Sequence, residues 1–170
     1  MSRHQGMWWQ SFSVFMARIL PSQLLKTMIY TLKKKYVIGV VAIVFNSNGE
    51  LLILHHTYRK EFLWRLPGGL KEATETPFET VVRELQEEAN LQVEPLFLVA
   101  LAQATISLDV AVLCKVVSEG EFVANPEVSA RKWVDPREFM HQLPSEQQGF
   151  VVEALRLRAL GIMNWGDHYE

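Results

Sequence analysis

The sequence predicts an α+β fold, an α/β/α sandwich in which helices flank a mixed β-sheet. A nearly continuous apolar and β-branched run at residues 36–45 indicates a strand that is buried on both faces. A well-signalled amphipathic helix follows at residues 77–89, and several strands and then helices complete the chain. Elements in this order bury their apolar surfaces by packing helices against a sheet.

Composition narrows the class of protein. A chain of 170 residues with 49% hydrophobic and 21% charged residues is typical of one soluble globular domain. The net charge of -2 gives no general attraction to nucleic acid, so we expect no nucleic-acid partner. The single Cys114 excludes an internal disulfide, and its apolar neighbours predict a buried structural thiol in a reducing, cytoplasmic location.

Residues 1–35 form a predicted N-terminal amphipathic helical extension. Its apolar residues space like one helical face before Pro21 and like another after it: Trp8, Phe12, Phe15 and Ile19, then Leu25, Met28 and Leu32. Polar residues interrupt both sets, so neither reaches the roughly 20 apolar residues that span a membrane. We expect the extension to pack on the domain or on a second subunit, forming a homodimer. A membrane-surface contact, suggested by two tryptophans and a lysine run, is the less favoured hypothesis.

The first strand is predicted to turn back in a hairpin. Residues 46–49 (NSNG) are a turn sequence, and residues 51–55 indicate the returning strand. The adjacent His55 and His56 would point to opposite faces of that strand, so we expect ordinary packing for at least one of them.

A short strand at residues 62–66 is predicted to lead to Pro67 and two glycines. Arg59, Trp64 and Arg65 in this region are candidates to bind substrate. An aromatic ring suits a base, and the planar donor fork of arginine suits a phosphate. Packing and surface charge are the alternative interpretation.

The helix at residues 77–89 has clear start and stop signals. Thr76 is a predicted N-cap, with Pro77 at the first helical position and Glu79 completing a capping box. Asn90 can take the left-handed conformation that ends a helix. One apolar stripe is expected to face the core: Phe78, Val81, Val82, Leu85 and Ala89.

Three carboxylates crowd the opposite face of this helix. Glu84, Glu87 and Glu88 fall at i, i+3 and i+4, so the helix stacks them on one side. Carboxylates this close repel one another unless a cation lies between them, and Mg²⁺ above all suits such oxygen ligands. Gly68 and Gly69 allow a sharp turn that brings a backbone carbonyl close to the metal. A solvated charged face is the alternative interpretation.

The rest of the chain predicts strands and then helices. Strands are expected at residues 95–101, 105–117 and 128–134, with Trp133 as a core candidate. Asp135 is expected to cap a short helix. Ser145 is expected to cap a final helix that ends near residue 160, with an apolar side formed by Phe150, Val151, Leu155 and Leu160.

The string around the acidic helix resembles the Nudix box, G-x5-E-x7-R-E-U-x-E-E-x-G-U, in which U is a bulky apolar residue. The matching positions are Gly69, Glu75, Arg83, Glu84, Leu85, Glu87, Glu88 and Leu91. Asn90 stands where the box has a glycine, and Asn tolerates left-handed dihedral angles better than other non-glycine residues. The chain therefore resembles a Nudix (MutT-like) hydrolase. Residues 36–162 would form the Nudix domain, and residues 163–170 a tail.

The resemblance implies hydrolysis of the diphosphate bond in a nucleoside diphosphate linked to another moiety X, such as a nucleotide sugar or ADP-ribose. Mg²⁺, or alternatively Mn²⁺, would be the cofactor, and a nucleotide the small-molecule partner. Two alternatives stay open: a house-cleaning pyrophosphatase of nucleoside triphosphates, and a non-catalytic nucleotide-binding module. The repelling glutamates argue against the module, because a site freed from catalysis need not keep them.

The resemblance also implies roles for residues of the box. Glu87 and Glu88 would be direct metal ligands, and Glu84 a third ligand or the base that activates water. The carbonyl of Gly68 would add a ligand. Arg83 would act in catalysis by orienting a neighbouring carboxylate.

Nudix proteins often recruit one more carboxylate from beyond the box. Glu127 is our choice, because it lies in the loop just before the strand that bears Trp133. Glu119 and Glu121 are the alternatives.

Overall fold

The computed structural model describes residues 21–33, 35–103 and 106–161, and the chain divides between Tyr36 and Val37 into two compact units. The described part of the first unit contains helix α1 (Ser22–Leu32), whose Leu24, Met28 and Leu32 side chains are exposed. The helical face predicted at residues 8–19 and the predicted tail lie outside the described residues. Among the helices that can be described, none is long and apolar enough to cross a membrane.

The second unit contains the sheet and the remaining helices. In chain order its described elements are β1 (Val37–Phe45), β2 (Leu51–His56), β3 (Trp64–Arg65), β4 (Gly68–Leu70), α2 (Pro77–Ala89), β5 (Leu91–Gln103), β6 (Ser107–Glu119), β7 (Val128–Val134), α3 (Pro136–Phe139), a 3-10 turn (Met140–Gln142) and α4 (Ser145–Ala159).

The strands form one mixed seven-stranded sheet with the main order β3-β2-β1-β6-β5. β1 runs parallel to β6 along its whole length, whereas β4 pairs antiparallel with the first half of β1. β7 pairs antiparallel with β2. This mixed sheet with flanking helices confirms the predicted α+β sandwich.

Alternation along the central strands explains the two helical layers. In β1, Val40, Ala42 and Val44 pack in the core cluster that contains the apolar side of α2. The intervening Val41, Ile43 and Phe45 pack in a second cluster with α4. Successive strand residues point to opposite faces, so a strand covered on both sides must be apolar at every position.

The predicted hairpin is present only at its turn. β1 and β2 are antiparallel, but they share a single pair of facing residues, Phe45 and Leu51, before they diverge. β2 then pairs with β3 and β7, while β4 takes the place beside β1. The glycine segment expected to be only a turn is therefore itself a strand, because the diverging β1 leaves an open edge.

Three further predictions need correction. β5 begins at Leu91, earlier than predicted, and Pro95 is tolerated because it lies at a register shift of an edge strand. Ser145 is the first residue of α4 and not its cap, since Pro144 holds the cap position without a side-chain hydrogen bond. Leu160 is exposed because the helix has already ended at residue 159.

Candidate active site

Helix α2 forms as its sequence predicts. The Thr76 hydroxyl accepts a hydrogen bond from the Glu79 N–H at 3.2 Å, and the Glu79 carboxylate accepts one from the Thr76 N–H at 2.7 Å. Asn90 ends the helix in the left-handed conformation with φ 50°, as the glycine of the box would. Its side-chain amide also donates to the Glu121 carbonyl at 3.0 Å.

The buried stripe of α2 is narrower than predicted. Val81, Leu85 and Ala89 are fully buried, whereas Phe78 and Val82 remain 39% exposed. Phe78 lies in the first turn, and Val82 lies on the edge of the stripe. The narrow contact fixes the rotation of the helix and therefore the direction of its acidic face.

Glu88 is the most deeply buried carboxylate of that face, with 5% exposure. Its Oε2 accepts a hydrogen bond from the Gly68 N–H at 2.9 Å. Burial raises the pKa of Glu88 to about 8, and the nearby charges of Glu84, Glu127 and Glu87 add to the effect against the Gly68 hydrogen bond. No lysine or arginine side chain of the described residues forms a salt bridge with Glu88.

The glycines before the helix permit this close approach. Gly68 has φ 144°, and a Cβ there would collide with the Val40 carbonyl of the neighbouring strand. A Cβ at Gly69 would collide with the carboxylate of Glu84. Only glycine therefore lets strand β4 lie between β1 and the acidic face.

Arg83 binds carboxylates of the box and does not line the cavity described below. Its Nε donates to Glu75 at 2.6 Å, and its Nη1 donates to Glu84 at 2.8 Å and to Glu87 at 3.2 Å. The Arg83 hydrogen bond lowers the pKa of Glu75 to about 2. For Glu84, burial raises the pKa and outweighs the opposing effect of Arg83.

A polar turn ties Glu127 to the acidic helix. The Asn125 Oδ1 accepts hydrogen bonds from the N–H groups of Glu127 and Val128 at 2.9 and 2.8 Å. The Asn125 side-chain amide donates to the Glu87 carbonyl at 3.3 Å. The Thr57 N–H donates to the Glu127 carbonyl at 2.9 Å. Asn125 is not among the residues predicted from the sequence, although an Asx turn at this spacing is a recognisable signal.

A cavity of about 710 Å³ opens beside these carboxylates. It is lined by β1, the end of β2, the β3–β4 segment, the start of β6 and the start of α4. Its polar lining residues are His56, Tyr58, Arg59, Arg65, Glu84, Glu88, Ser107, Asp109, Glu127, Glu146 and Gln147. The structure therefore brings Glu84, Glu88, Gly68, Glu127, Arg59 and Arg65 of the predicted set together.

Three predicted residues do not line the cavity: Arg83, described above, Glu87 and Trp64. Glu87 lies on the helix face but does not line the cavity, and its side chain is 61% exposed. Trp64 packs edge-on against His55, with ring centroids 5.0 Å apart, and against Phe139. Trp64 thus fits the alternative interpretation, ordinary packing.

The cavity also contains two guanidinium groups that form no salt bridge with a described residue. Arg59 contacts only the ring face of Tyr58 at 4.9 Å, and among described residues neither Arg59 nor Arg65 has a side-chain hydrogen bond or ion pair. Burial, followed by the charge of Arg59, lowers the pKa of Arg65 against the opposing charges of Glu146 and Asp109. Both groups stay charged, since arginine is effectively always protonated in proteins.

The residues on the far side of the cavity are not among those predicted from the sequence. Asp109 of β6 faces Gly39 of β1, where a Cβ would collide with the Asp109 carboxylate. Gln147 of α4 accepts a hydrogen bond from the Leu66 N–H at 2.9 Å and so anchors the segment that carries Arg65. No local spacing links residues so far apart in the chain.

The donor set fits a divalent metal in its chemistry. Carboxylate oxygens suit Mg²⁺ or Mn²⁺. A bound cation would offset the repulsion between Glu88 and the neighbouring carboxylates. In the part of the chain that can be described, no three His, Cys, Asp or Glu side chains already converge as ligands of one ion. Binding would therefore require these carboxylates to turn inward, and Glu84 to loosen its bond to Arg83.

An acidic helix packed on a mixed sheet, with carboxylates beside a cavity, defines the Nudix type of sandwich protein. A family profile described as the NUDIX domain matches residues 35–153. The chain therefore belongs to the NUDIX domain family, and the predicted resemblance to that family is confirmed.

The sequence is also similar to those of individual proteins. The chain is 23% identical over 122 residues to Nudix hydrolase 5 of Arabidopsis thaliana, with 66% of this chain and 40% of that protein covered. It is 34% identical over 74 residues to the 8-oxo-dGDP phosphatase NUDT18 of Danio rerio, with 43% and 23% covered. The chain thus spans less than half the length of these two relatives.

A solved structure supports the fold. The crystal structure of an ADP-ribose pyrophosphatase from Streptococcus suis matches with a TM-score of 0.58 and 26% identity. The match covers 71% of this chain and 92% of that chain.

Proposed function

We propose that this protein is a divalent-cation-dependent hydrolase that cleaves the diphosphate bond of a nucleoside diphosphate linked to another moiety X. The observation that carries the proposal is the pairing of two unlike walls in one cavity. Three carboxylates line the cavity, those of Glu84, Glu88 and Glu127 (called the acidic wall here), and so do the guanidinium groups of Arg59 and Arg65 (called the basic wall). A diphosphate needs cations on both sides, and this cavity offers ligands for a metal on one side and fixed positive charge on the other.

The carboxylates are proposed to hold Mg²⁺ or Mn²⁺. Glu84, Glu87, Glu88 and Glu127 would supply side-chain ligands, and Gly68 its carbonyl. When bound, the metal would offset the charge of the diphosphate and lower the pKa of a coordinated water. Glu84 is also the candidate base, since its raised pKa and place beside the cavity suit a group that accepts a proton from water.

The remaining residues would bind and orient. Arg59 and Arg65 would donate to phosphate oxygens, for which the guanidinium fork is well shaped. Arg83 would orient Glu84 and Glu87 through the hydrogen bonds described above. Trp64 would hold β3 in place through its packing, so that the neighbouring Arg65 faces the cavity.

Relatives support the substrate class. The zebrafish relative is named for 8-oxo-dGDP and the S. suis structure for ADP-ribose, and both compounds contain a diphosphate attached to a nucleoside. Neither the moiety X nor the nucleobase is specified, and nucleoside triphosphates remain the alternative substrates.

A substrate panel tests the proposal. ADP-ribose, nucleotide sugars, nucleoside diphosphates and triphosphates are incubated with Mg²⁺, Mn²⁺ or EDTA, and the products are separated by anion-exchange chromatography. We expect metal-dependent release of a nucleoside monophosphate and a phosphorylated X from at least one diphosphate. Release of pyrophosphate from triphosphates alone would favour the alternative. Binding without any turnover would instead favour a non-catalytic module.

We further propose that residues 1–35 are an extension to a catalytic domain at 36–162. The family match begins at residue 35, and the contacts divide the chain after residue 36. A chain truncated before Tyr36 is expected to keep metal-dependent turnover. A change in oligomer size on truncation, measured by light scattering, would assign the extension to subunit association.

A further inference from the structure

His56 is a buried side chain of the cavity whose polar atoms find no partner. It is 3% exposed, and both of its ring nitrogens lack a hydrogen bond. Within the described ranges, no other buried side-chain nitrogen or oxygen is left in this state. Burying an unpaired polar group carries a desolvation cost, and such groups in native proteins call for an explanation, often a functional one.

The surroundings of His56 direct the imidazole toward Glu88. The His56 Nδ1 lies 3.9 Å from Glu88 Oε1, which is too long for a hydrogen bond. Glu88 Oε2 is already fixed by the Gly68 N–H at 2.9 Å. The Tyr58 ring packs edge-on against the imidazole, with centroids 5.7 Å apart. The imidazole is therefore held beside the one carboxylate oxygen that Gly68 leaves open.

The backbone keeps the imidazole in this place. The His56 N–H donates to the Leu63 carbonyl at 2.8 Å and closes the loop that carries Tyr58. The preceding His55 points to the other face, where its Nδ1 lies 2.7 Å from the Ser129 hydroxyl. An imidazole has at least one N–H in either protonation state, so the ring has a donor to offer to this oxygen.

We propose that His56 is a positioning residue for Glu88. A small rotation of the carboxylate about its contact with Gly68 brings Oε1 within hydrogen-bond distance of the Nδ1–H. The bond then fixes the direction in which the carboxylate faces a cation, as outer partners commonly do for metal-binding carboxylates. The inference rests on the proposed function in one respect, the role of Glu88 as a metal ligand.

The test measures both the stability and the metal affinity of a His56 variant, because a positioning role affects these two quantities differently. His56→Leu keeps a similar volume but removes both polar atoms. We expect its thermal midpoint without metal to equal or exceed that of wild type, because no polar group is left unpaired. We expect its Mn²⁺ affinity, measured by calorimetry without substrate, to fall about tenfold or more. If the histidine were merely structural, His56→Leu would lower the thermal midpoint and leave the Mn²⁺ affinity unchanged.

Two further variants locate the donor atom. His56→Asn places an amide near the Nδ1 position and should recover most of the Mn²⁺ affinity. His56→Gln places its amide near the Nε2 position and should not. His55→Leu is the matched control on the opposite face of the strand, and its Mn²⁺ affinity should equal that of wild type.

The outcomes separate this inference from the proposed function. Wild-type protein that binds no Mn²⁺ would overturn both. Wild-type binding that His56→Leu leaves unchanged would overturn the role of His56 alone. Should His56→Leu not fold, equal affinities in the Asn and Gln variants would overturn it in the same way.

Discussion

The acidic and basic walls of the cavity handle their charges in opposite ways. Around the acidic wall, Arg83 donates to Glu84 and also to Glu75 and Glu87, which do not line the cavity, and burial keeps the pKa of Glu88 high. On the basic wall, Arg59 and Arg65 form no ion pair with any described residue. The difference indicates that the acidic wall is held together before any ligand arrives, while the basic wall is left open for an anion.

The largest effect is expected on the acidic wall. Glu88→Gln keeps the shape and an acceptor for the Gly68 N–H, so the fold should remain intact. Turnover should fall by about a thousandfold or more, because a metal contributes several kcal/mol of charge stabilisation. Steady-state kinetics with a Mg²⁺ titration measure the effect.

Two variants control this prediction. Glu87→Gln should also lose activity if the exposed Glu87 turns toward the metal. Glu94→Gln removes an exposed carboxylate of β5 and should behave as wild type. Metal-dependent turnover that both Glu87→Gln and Glu88→Gln retain would contradict the assignment of the acidic wall.

The second-largest effect is expected on the basic wall. Arg65→Ala should raise KM about 10- to 100-fold, since hydrogen bonds to a charged group contribute about 1.5–3 kcal/mol. Its Mn²⁺ affinity without substrate should stay unchanged. Glu88→Gln should instead lower the Mn²⁺ affinity and leave KM unchanged. Arg156→Ala, which removes an exposed arginine paired with Glu153, is the matched control. Loss of metal affinity in Arg65→Ala would break the division into two walls.

The two walls also differ in how far the sequence predicts them. Both caps, the centre of the buried stripe and the three carboxylates of α2 lie within one short segment, so periodicity and capping rules predict them, although they do not predict that Phe78 and Val82 stay exposed. The basic wall depends on pairings such as Gln147 with Leu66, which are 81 residues apart. Local spacing contains no signal for such a contact.

The assignment of Trp64 shows the same limit at one position. Trp64 and Arg65 are neighbours on a two-residue strand, so their side chains point to opposite faces. The sequence indicates that one of them faces the cavity, but not which one. The register of β3 against β2 decides it, and that register depends on tertiary pairing.

A smaller effect is expected from the turn that holds Glu127. Asn125→Ala removes the acceptor for two backbone N–H groups and the donor to the Glu87 carbonyl. Metal affinity should fall up to about tenfold. Glu127→Gln should lose more, and the double variant should lose no more than Glu127→Gln alone, because both changes act through one carboxylate.

Asn46→Ala provides the matched control for this turn. Asn46 accepts from two backbone N–H groups at 3.0 Å in the β1–β2 turn, which does not line the cavity. It should lose comparable stability with unchanged metal affinity. Equal loss of metal affinity in both variants, or additive losses from Asn125→Ala and Glu127→Gln, would contradict the role of Asn125.

The smallest effect concerns pH and the Glu75–Arg83 pair. The pKa of Glu75 is lowered from 4.5 to about 2, so its contribution to stability is present above pH 4.5 and is lost as the pH falls toward 2. Glu75→Gln should therefore flatten the fall in urea midpoint between these pH values. It should also reduce turnover a few-fold at neutral pH, because Arg83 is no longer fixed in the place from which it bonds Glu84 and Glu87. Glu153→Gln, which removes another carboxylate with a pKa lowered by an arginine, should flatten the same profile without changing turnover. If Glu75→Gln leaves turnover as unchanged as Glu153→Gln does, Arg83 orients nothing at the site and the acidic wall is held together by packing alone.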